Sequence, residues 1–385
     1  MKIAIIRKKY SFHGGAENFS RQLISHLAAA GHEVHIFAAE WKGQNEEAGV
    51  HVHRLPVIGF NSFTRDLSFA LAARRALAVH DFDIVQAHDK TLAPVDIYRA
   101  GDGCHRGWLK RRAGIVGPLK RLSIACNPYH WMILWLERRI LARGLARHVL
   151  AISRMVKQEV MDLYGVPEER ITTLHNGVDV ERFSPAKRAR GRALMAERHG
   201  IGSGETVALF MGSGFERKGV KYLLGALDHV PEPLTVLICG KGPRMEHRDP
   251  HGNKRVVYAG SVREPDLYYA GADFFVFPSV YEPFGNVNTE ALASGLPVVT
   301  VRSCGAAEVI EEGVDGYVLP RAQDVEGIGR AISRLTDPAR REEMSRAARR
   351  KAEGMTFERH RDEILALYAR VLAGRAILTD RGSVG

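Results

Sequence analysis

The sequence predicts an α/β protein of two domains, each built on a parallel sheet. Three observations lead there. Short β-branched runs alternate with helical patterns from end to end, as strand–helix–strand units require. The chain has 385 residues, more than the roughly 250–300 at which a single hydrophobic core stops growing. Its composition, 45% apolar and 26% charged, is that of a globular protein and excludes disorder, collagen-like repeats and a disulfide scaffold.

Taken in order, strands are predicted at 2–7, 33–38, 50–55, 83–87, 148–152 and 171–175. The first helical pattern, Ala16–Ala30, places Leu23, Ile24 and Leu27 on one face and meets Gly31 as its stop. A boundary is predicted near Gly177–Pro185, where a strand runs out into His175-Asn176-Gly177-Val178-Asp179 and the polar run Ser184–Arg190 follows. Strands resume at 207–211, 234–239, 256–259, 274–277, 298–301 and 317–319. A last helical pattern, Glu358–Leu372, precedes a polar tail, Asp380–Gly385, expected to fray.

The four cysteines, Cys104, Cys126, Cys239 and Cys304, are far apart and form no C-x-x-C pair. Buried thiols in a reducing compartment are expected, not a zinc site or disulfides. The apolar run Ile3–Ile6 is too short for a signal-peptide core, and no run approaches the ~20 residues of a membrane span. The expected location is the cytoplasm, or a membrane surface facing it.

The net charge of +11 is unevenly spread. Between Arg99 and Arg154 twelve cationic side chains face only Asp102 and Glu137. A local basic segment therefore needs explaining, not a basic protein. Three of the four tryptophans, Trp108, Trp131 and Trp135, lie in it. The stretch Pro128–Arg139 is too short to span a bilayer but suits an interfacial helix, so an anionic membrane surface is the expected partner.

In open α/β sheets ligands bind where strands end, so the loops leaving strands carry the candidate chemistry. Gly14-Gly15, after the first strand, allows close backbone approach at a helix start. Met211 to Gly219 combines glycines with Arg217-Lys218, a fork of donors beside a point charge, which suits a diphosphate. It is neither a P-loop nor a dinucleotide fingerprint. Tyr281 to Ala291 holds Glu282 in a loop and Glu290 about one turn into the next helix, whose start at Gly285 and Asn286 can face an anion. Glu290 can accept from a ribose diol and Glu282 from a sugar hydroxyl. Cations for phosphates and carboxylates for hydroxyls describe a nucleotide-sugar site.

These blocks, with His175-Asn176-Gly177-Val178-Asp179 and Gly305-Ala306-Ala307-Glu308, resemble the retaining glycosyltransferases of family four, which have the GT-B fold. Tyr98 to Cys104 and Gly212 to Gly219 look most like the lipopolysaccharide core glucosyltransferase I type. The resemblance implies two Rossmann-like domains with parallel sheets facing a central cleft. Residues 1–178 would bind the acceptor, with 355–378 packing back onto them, and 179–354 would bind the nucleotide sugar. It implies that Arg217 and Lys218 hold the diphosphate, Glu290 the ribose and Glu282 the donor sugar, with Gly14 and Gly15 near the phosphate or transferred sugar. It implies a UDP-sugar donor, UDP-glucose, and a lipid-linked saccharide acceptor, the heptose of the lipopolysaccharide inner core, on the cytoplasmic face of the inner membrane. No cofactor or metal is then required. Front-face attack within an ion pair is the implied route, with a phosphate oxygen taking the acceptor's proton.

Asp102 is the candidate near the acceptor, ahead of His88, which follows the fourth predicted strand; His105 is less marked. Asp81-Phe82-Asp83 precedes a strand and is not expected to bind a metal. Other readings are another cell-surface glycan transferase, an epimerase or phosphorylase of the same fold, and a basic nucleic-acid module. The last lacks any helix-turn-helix, zinc-finger or RRM signature and has no use for Glu282 and Glu290, so no nucleic-acid partner is expected.

Overall fold

The computed structural model describes residues 1–10, 15–41 and 48–382. The chain forms two compact units, Met1–Asn176 with Phe357–Gly385, and Gly177–Thr356.

The first unit carries β1 (Lys2–Ile6), β2 (Lys9–Tyr10), β3 (Glu33–Ala38), β4 (Glu40–Trp41), β5 (Val50–Arg54), β6 (Ile84–Ala87), β7 (Val95–Ala100), β8 (Ala146–Ala151) and β9 (Ile171–Thr173). Seven of them form one sheet in the order β5-β3-β1-β6-β7-β8-β9, while β2 and β4 pair separately. Every pairing in the large sheet is parallel. The helix Gly15–Ala29 buries Leu23, Ile24 and Leu27 against Ile3, Ile5 and Ile36. It stops at Gly31, whose φ of 82° suits glycine.

The sequence left β7 unassigned. Its Asp96 and Arg99 mask a strand buried at all six positions. Both side chains find hydrogen-bond partners within the unit. Asp96 accepts from the Val85 amide at 2.9 Å and lies 3.7 Å from Arg147, and Arg99 donates to Asn176 at 2.7 Å.

The last helix extends from Phe357 to Gly382, ten residues past the predicted end and into the tail expected to fray. Its Phe357, Ile364, Leu367 and Tyr368 join the core of the first unit.

The second unit carries β10 (Val207–Met211), β11 (Leu234–Cys239), β12 (Lys254–Gly260), β13 (Phe274–Phe277), β14 (Val298–Val301) and β15 (Gly316–Leu319). They pair in parallel in the order β12-β11-β10-β13-β14-β15. The inner strands read as unbroken apolar runs because helices cover both faces of such a sheet. Both sheets are Rossmann-like. Each has a switch point where successive strands depart in opposite directions, between β1 and β6 in the first and between β10 and β13 in the second.

The basic segment divides. The helix Pro118–Ala125 has no buried residue and exposes Leu119 and Leu122 by 85% and 63%. The following helix, Pro128–Leu141, is no free interfacial helix. It buries Met132, Ile133 and Leu136 in a cluster with Ala70 and Leu92, and exposes Trp131 and Trp135 on its other side. Part of the charge is spent inside the fold, since Arg99 is buried and Arg111 pairs with Glu159. Among the described residues no helix is long and apolar enough to cross a membrane. Cys126 is exposed, against expectation, because it ends the uncovered helix Pro118–Ala125; the other three thiols are buried and form no disulfide.

Candidate active site

In the second unit the loops after β10 and β13 meet at the switch point. Gly214 and Gly219, both at φ 81°, bracket the four-residue helix Phe215–Lys218. Glycine is obligatory at 219, where a Cβ would lie 1.9 Å from the Pro278 carbonyl oxygen. That contact sets the Arg217-Lys218 turn directly on the end of β13. The Arg217 carbonyl accepts from the Val280 amide at 2.9 Å and from the Ser279 hydroxyl at 3.2 Å.

Both cations reach Glu282. Lys218 Nζ forms an ion pair with Glu282 Oε2, and Arg217 stands 3.4 Å from the same oxygen while donating to the Tyr281 carbonyl at 3.2 Å. The Lys218 ammonium also lies 5.1 Å from the Phe277 ring centroid. Glu282 itself is pinned by its backbone, its amide donating to Ser303 and its carbonyl accepting from Gly305.

Gly285, at φ 91°, leads into the helix Asn286–Ala293, which no side chain caps. A Cβ there would come within 3.0 Å of Asn288, Cys304 and Glu282, so the close assembly of these three depends on glycine. Within that helix Glu290 Oε2 accepts from the Tyr269 hydroxyl at 3.0 Å. Burial raises the Glu290 pKa, and the tyrosine bond and the Arg182 charge offset only part of that rise. An open pocket of about 400 Å³ nearby is lined by Arg302, Cys304, Ala307, Glu308, Ile310 and Val318.

In the first unit the loops after β1, β6 and β7 converge in the same way. Asp102 keeps contact with solvent. The protein packed around it would raise its pKa, but Arg7, Lys90, Arg99 and Lys8 together hold its carboxyl below the ordinary range. Its loop is anchored by the wholly buried Glu137. That carboxylate accepts from the His105 and Arg106 amides at 2.8 and 3.2 Å and so caps the helix His105–Ala113. Lys90 lies 3.4 Å from Glu137, and Tyr164 donates to it.

His88 lies inside the first unit, at the end of β6. It is 1% exposed, with Nδ1 3.2 Å from Ser20 Oγ and Nε2 2.6 Å from the Gln86 side-chain amide. Gln86 in turn accepts from Tyr368 on the last helix at 3.0 Å. Burial, then the charges of Arg99 and Arg7, push the His88 pKa well down, so the ring is neutral. His105 meets His130 at 3.0 Å, and burial lowers its pKa to about 4.

The structure thus brings Arg217, Lys218, Glu282, Gly285, Asn286 and Glu290 to one strand-end region, and Asp102 to the other unit's switch point. Gly15 opens the first helix, whereas Gly14 lies outside the described residues. Asp81-Phe82-Asp83 precedes β6, and Asp83 accepts from the Lys2 amide at 2.7 Å.

Groups that escaped the sequence reading include Tyr269 and Arg182 around Glu290, and Arg7, Lys8 and Lys90 around Asp102. The two lysines carried a signal, since each follows a strand; Tyr269 and Arg182 carried none. Buried Asn288 donates to the Gly285 carbonyl and the Cys304 sulfur, and its Oδ1 has no hydrogen-bond partner among the described residues. It stands two residues before the glutamate that drew attention.

Comparison with known proteins agrees with this geometry. Residues 13–182 match Glycosyltransferase Family 4, and residues 192–351 match Glycosyl transferases group 1. The chain is 30% identical over 365 residues to the GDP-mannose-dependent alpha-(1-6)-phosphatidylinositol monomannoside mannosyltransferase of Mycolicibacterium smegmatis, covering 87% of this chain and 89% of that one. It is 26% identical over 327 residues to the lipopolysaccharide glucosyltransferase WaaG of Escherichia coli K12, covering 83% and 85%. A crystal structure of WaaG superposes with a TM-score of 0.77 at 22% identity, covering 95% of this chain and 99% of that one. That of Anabaena HepE with UDP and glucose gives 0.70 at 20%, covering 96% and 100%. Two Rossmann-like parallel-sheet units, the gathered cation–carboxylate loops and these matches make the chain a GT-B glycosyltransferase of family four.

Proposed function

We propose that the protein is a metal-independent retaining hexosyltransferase that moves glucose from UDP-glucose to a lipid-linked glycan, the heptose of a lipopolysaccharide inner core. The observation that carries the donor half is the meeting of Arg217, Lys218 and Glu282 on the switch-point loops of the second unit, with Glu290 in the helix that follows. Similarity to WaaG supports the acceptor, and the UDP and glucose bound by HepE support the donor.

Without ligand, the two cations neutralise Glu282. An arriving diphosphate takes the cations and releases Glu282 to a hydroxyl of the transferred sugar. As the sugar–phosphate bond breaks, charge grows on the departing diphosphate, where Arg217 and Lys218 hold it. The acceptor hydroxyl attacks from the same face and gives its proton to a phosphate oxygen. Asp102, kept ionised by its four cations, orients the acceptor hydroxyl as a hydrogen-bond acceptor. Glu290 accepts from the ribose hydroxyls.

The test is binding and turnover across UDP-, GDP- and ADP-sugars, with Glu290→Ala beside the wild type. One UDP-hexose should be selected, and the variant should bind it about 10–100-fold more weakly, as loss of a charged hydrogen-bond acceptor predicts. The M. smegmatis relative uses GDP-mannose, so guanine is the competing base, and selection of a GDP-sugar would replace the UDP reading. No binding across the panel would reject the donor site.

The raised pKa of Glu290 adds a pH dependence. Only the carboxylate accepts from both ribose hydroxyls. Donor affinity should therefore be full above that pKa and fall as the pH drops through it, at a higher pH than an ordinary glutamate near 4.3 would set. Glu290→Gln should remove the dependence, which calorimetric titration from pH 8 to about 5 reads directly.

A lipid-linked acceptor calls for a membrane surface. Leu119, Leu122, Trp131 and Trp135 are exposed alongside Lys120, Arg121 and Arg138. Each cation near anionic lipid contributes roughly 1 kcal/mol. Co-sedimentation with phosphatidylglycerol vesicles is expected, weakening with salt and abolished by Leu119→Glu combined with Leu122→Glu. Equal sedimentation with phosphatidylcholine, or no effect of the pair, would remove the anionic surface as a partner.

A further inference from the structure

The first unit holds a second polar cluster that none of the above uses. Glu33 and His35 are two residues apart in β3, and His51 and His53 two apart in β5. Side chains alternate along a strand, so each pair shares a face. The parallel register sets His35 beside His51 and Phe37 beside His53. Two neighbouring strands thus present one carboxylate and three imidazoles on a single surface. Among the described residues, Glu33, His35 and His51 form the one group of three whose ligand atoms all lie within 4.8 Å of one another.

We propose that Glu33, His35 and His51 bind a divalent zinc-class cation that clips the edge strand β5 to β3. Two imidazoles and a carboxylate are a zinc-type donor set, with bonds of about 2.0–2.2 Å. Tetrahedral bonds of that length put neighbouring ligand atoms about 3.3–3.6 Å apart. The spacings found bracket this: His35 Nε2 to Glu33 Oε1 is 2.8 Å, and His51 Nε2 to the same oxygen is 3.7 Å.

The neighbouring ring supports the assignment. His35 Nδ1 lies 2.8 Å from His53 Nε2. At 2.8 Å His35 Nε2 donates its proton to Glu33; a metal at Nε2 would shift the ring proton to Nδ1, where His53 Nε2 accepts it. Such an outer hydrogen bond fixes the tautomer of a metal-binding histidine. Rotation is restrained as well, since His35 stacks on His51 at 4.7 Å and on His53 at 5.1 Å. The His35 side chain is 11% exposed, while Glu33 and His51 are about half exposed, so the ion could enter from solvent and keep a water. Lys2, whose ammonium sits 5.3 Å from the Phe82 ring, is a nearby charge opposing a cation.

The place of the site indicates its role. Glu33 is the first residue of β3, so the cluster begins at the amino end of that strand, away from the carboxyl ends where Asp102 and its cations gather. β5 closes the sheet and is paired on one side only. A metal there would secure an edge and take no part in transfer.

The experiment is calorimetric titration of tag-free, chelator-treated full-length protein with Zn²⁺, paired with melting curves. One equivalent should bind at micromolar protein and raise the Tm. His51→Ala and Glu33→Gln, both half-exposed surface changes, should each weaken binding about tenfold or more and remove the shift in Tm. Visible absorption of the Co²⁺ form should show tetrahedral nitrogen–oxygen ligation. Donor turnover in His51→Ala should match the wild type. No stoichiometric binding, or binding unchanged in His51→Ala or in Glu33→Gln, overturns the proposed site.

Discussion

Replacing Lys218 by alanine should lower kcat by about 10²–10³-fold, with a smaller change in KM. Removal of one charge-stabilising group that acts mainly in the transition state costs that much in other enzymes. Lys218 is suited to such a role. Its ammonium lies over the Phe277 ring and pairs with Glu282, so it is already held at the strand end when the donor arrives. Steady-state kinetics with saturating UDP-glucose read the effect, beside a melting curve that separates lost catalysis from lost fold. Arg217→Ala should cost less, because that side chain stands farther from Glu282 and is more open to solvent. A change below about fivefold for Lys218→Ala would remove this residue from the proposed diphosphate site.

Gly219→Ala should be the most destabilising single methyl group in the second unit's site. At φ 81° an alanine already costs roughly 1–2 kcal/mol. Here its Cβ would also lie 1.9 Å from the Pro278 carbonyl oxygen, and neither backbone can yield without moving the end of β13. Together these should reach about 3–5 kcal/mol. Gly214→Ala is the matched control, with the same φ but nothing within 4 Å of the added methyl group. Its loss should be only the conformational part. A Tm drop of about 10 °C for Gly219→Ala against about 3 °C for Gly214→Ala is expected. Equal drops would mean that the loop relaxes freely, and that contact with Pro278 does not set the position of Arg217 and Lys218.

The site was partly legible in the chain because its chemistry is carried by short blocks. Arg217-Lys218 and Glu282 through Glu290 could be read from residue type and spacing, and they do come together. The burial of His88 could not be read. A histidine after a strand looks the same on paper whether it faces solvent or, as here, is enclosed by Ser20, Gln86 and the last helix. The same holds for Asp102, since its four cations come from residues 7, 8, 90 and 99. The zinc-class cluster was missed because Glu33-x-His35 and His51-x-His53 mean little until a register sets them side by side.

The amino-acid sequence alone determined the α/β class, most strands, the break into two units and the loops that carry charge. These are local properties, set by the period of apolar residues and by turn residues. Tertiary structure alone decided strand order, and with it which loops meet. Sheet order rests on contacts between residues far apart in the chain, and no local period encodes them. The reversals between β1 and β6 and between β10 and β13 are what turn separate motifs into two sites. Burial was decided at the same level. It hid β7 behind charged letters, sealed His88, and left Leu119 and Leu122 in the open. In each case what covers a side chain comes from elsewhere in the fold.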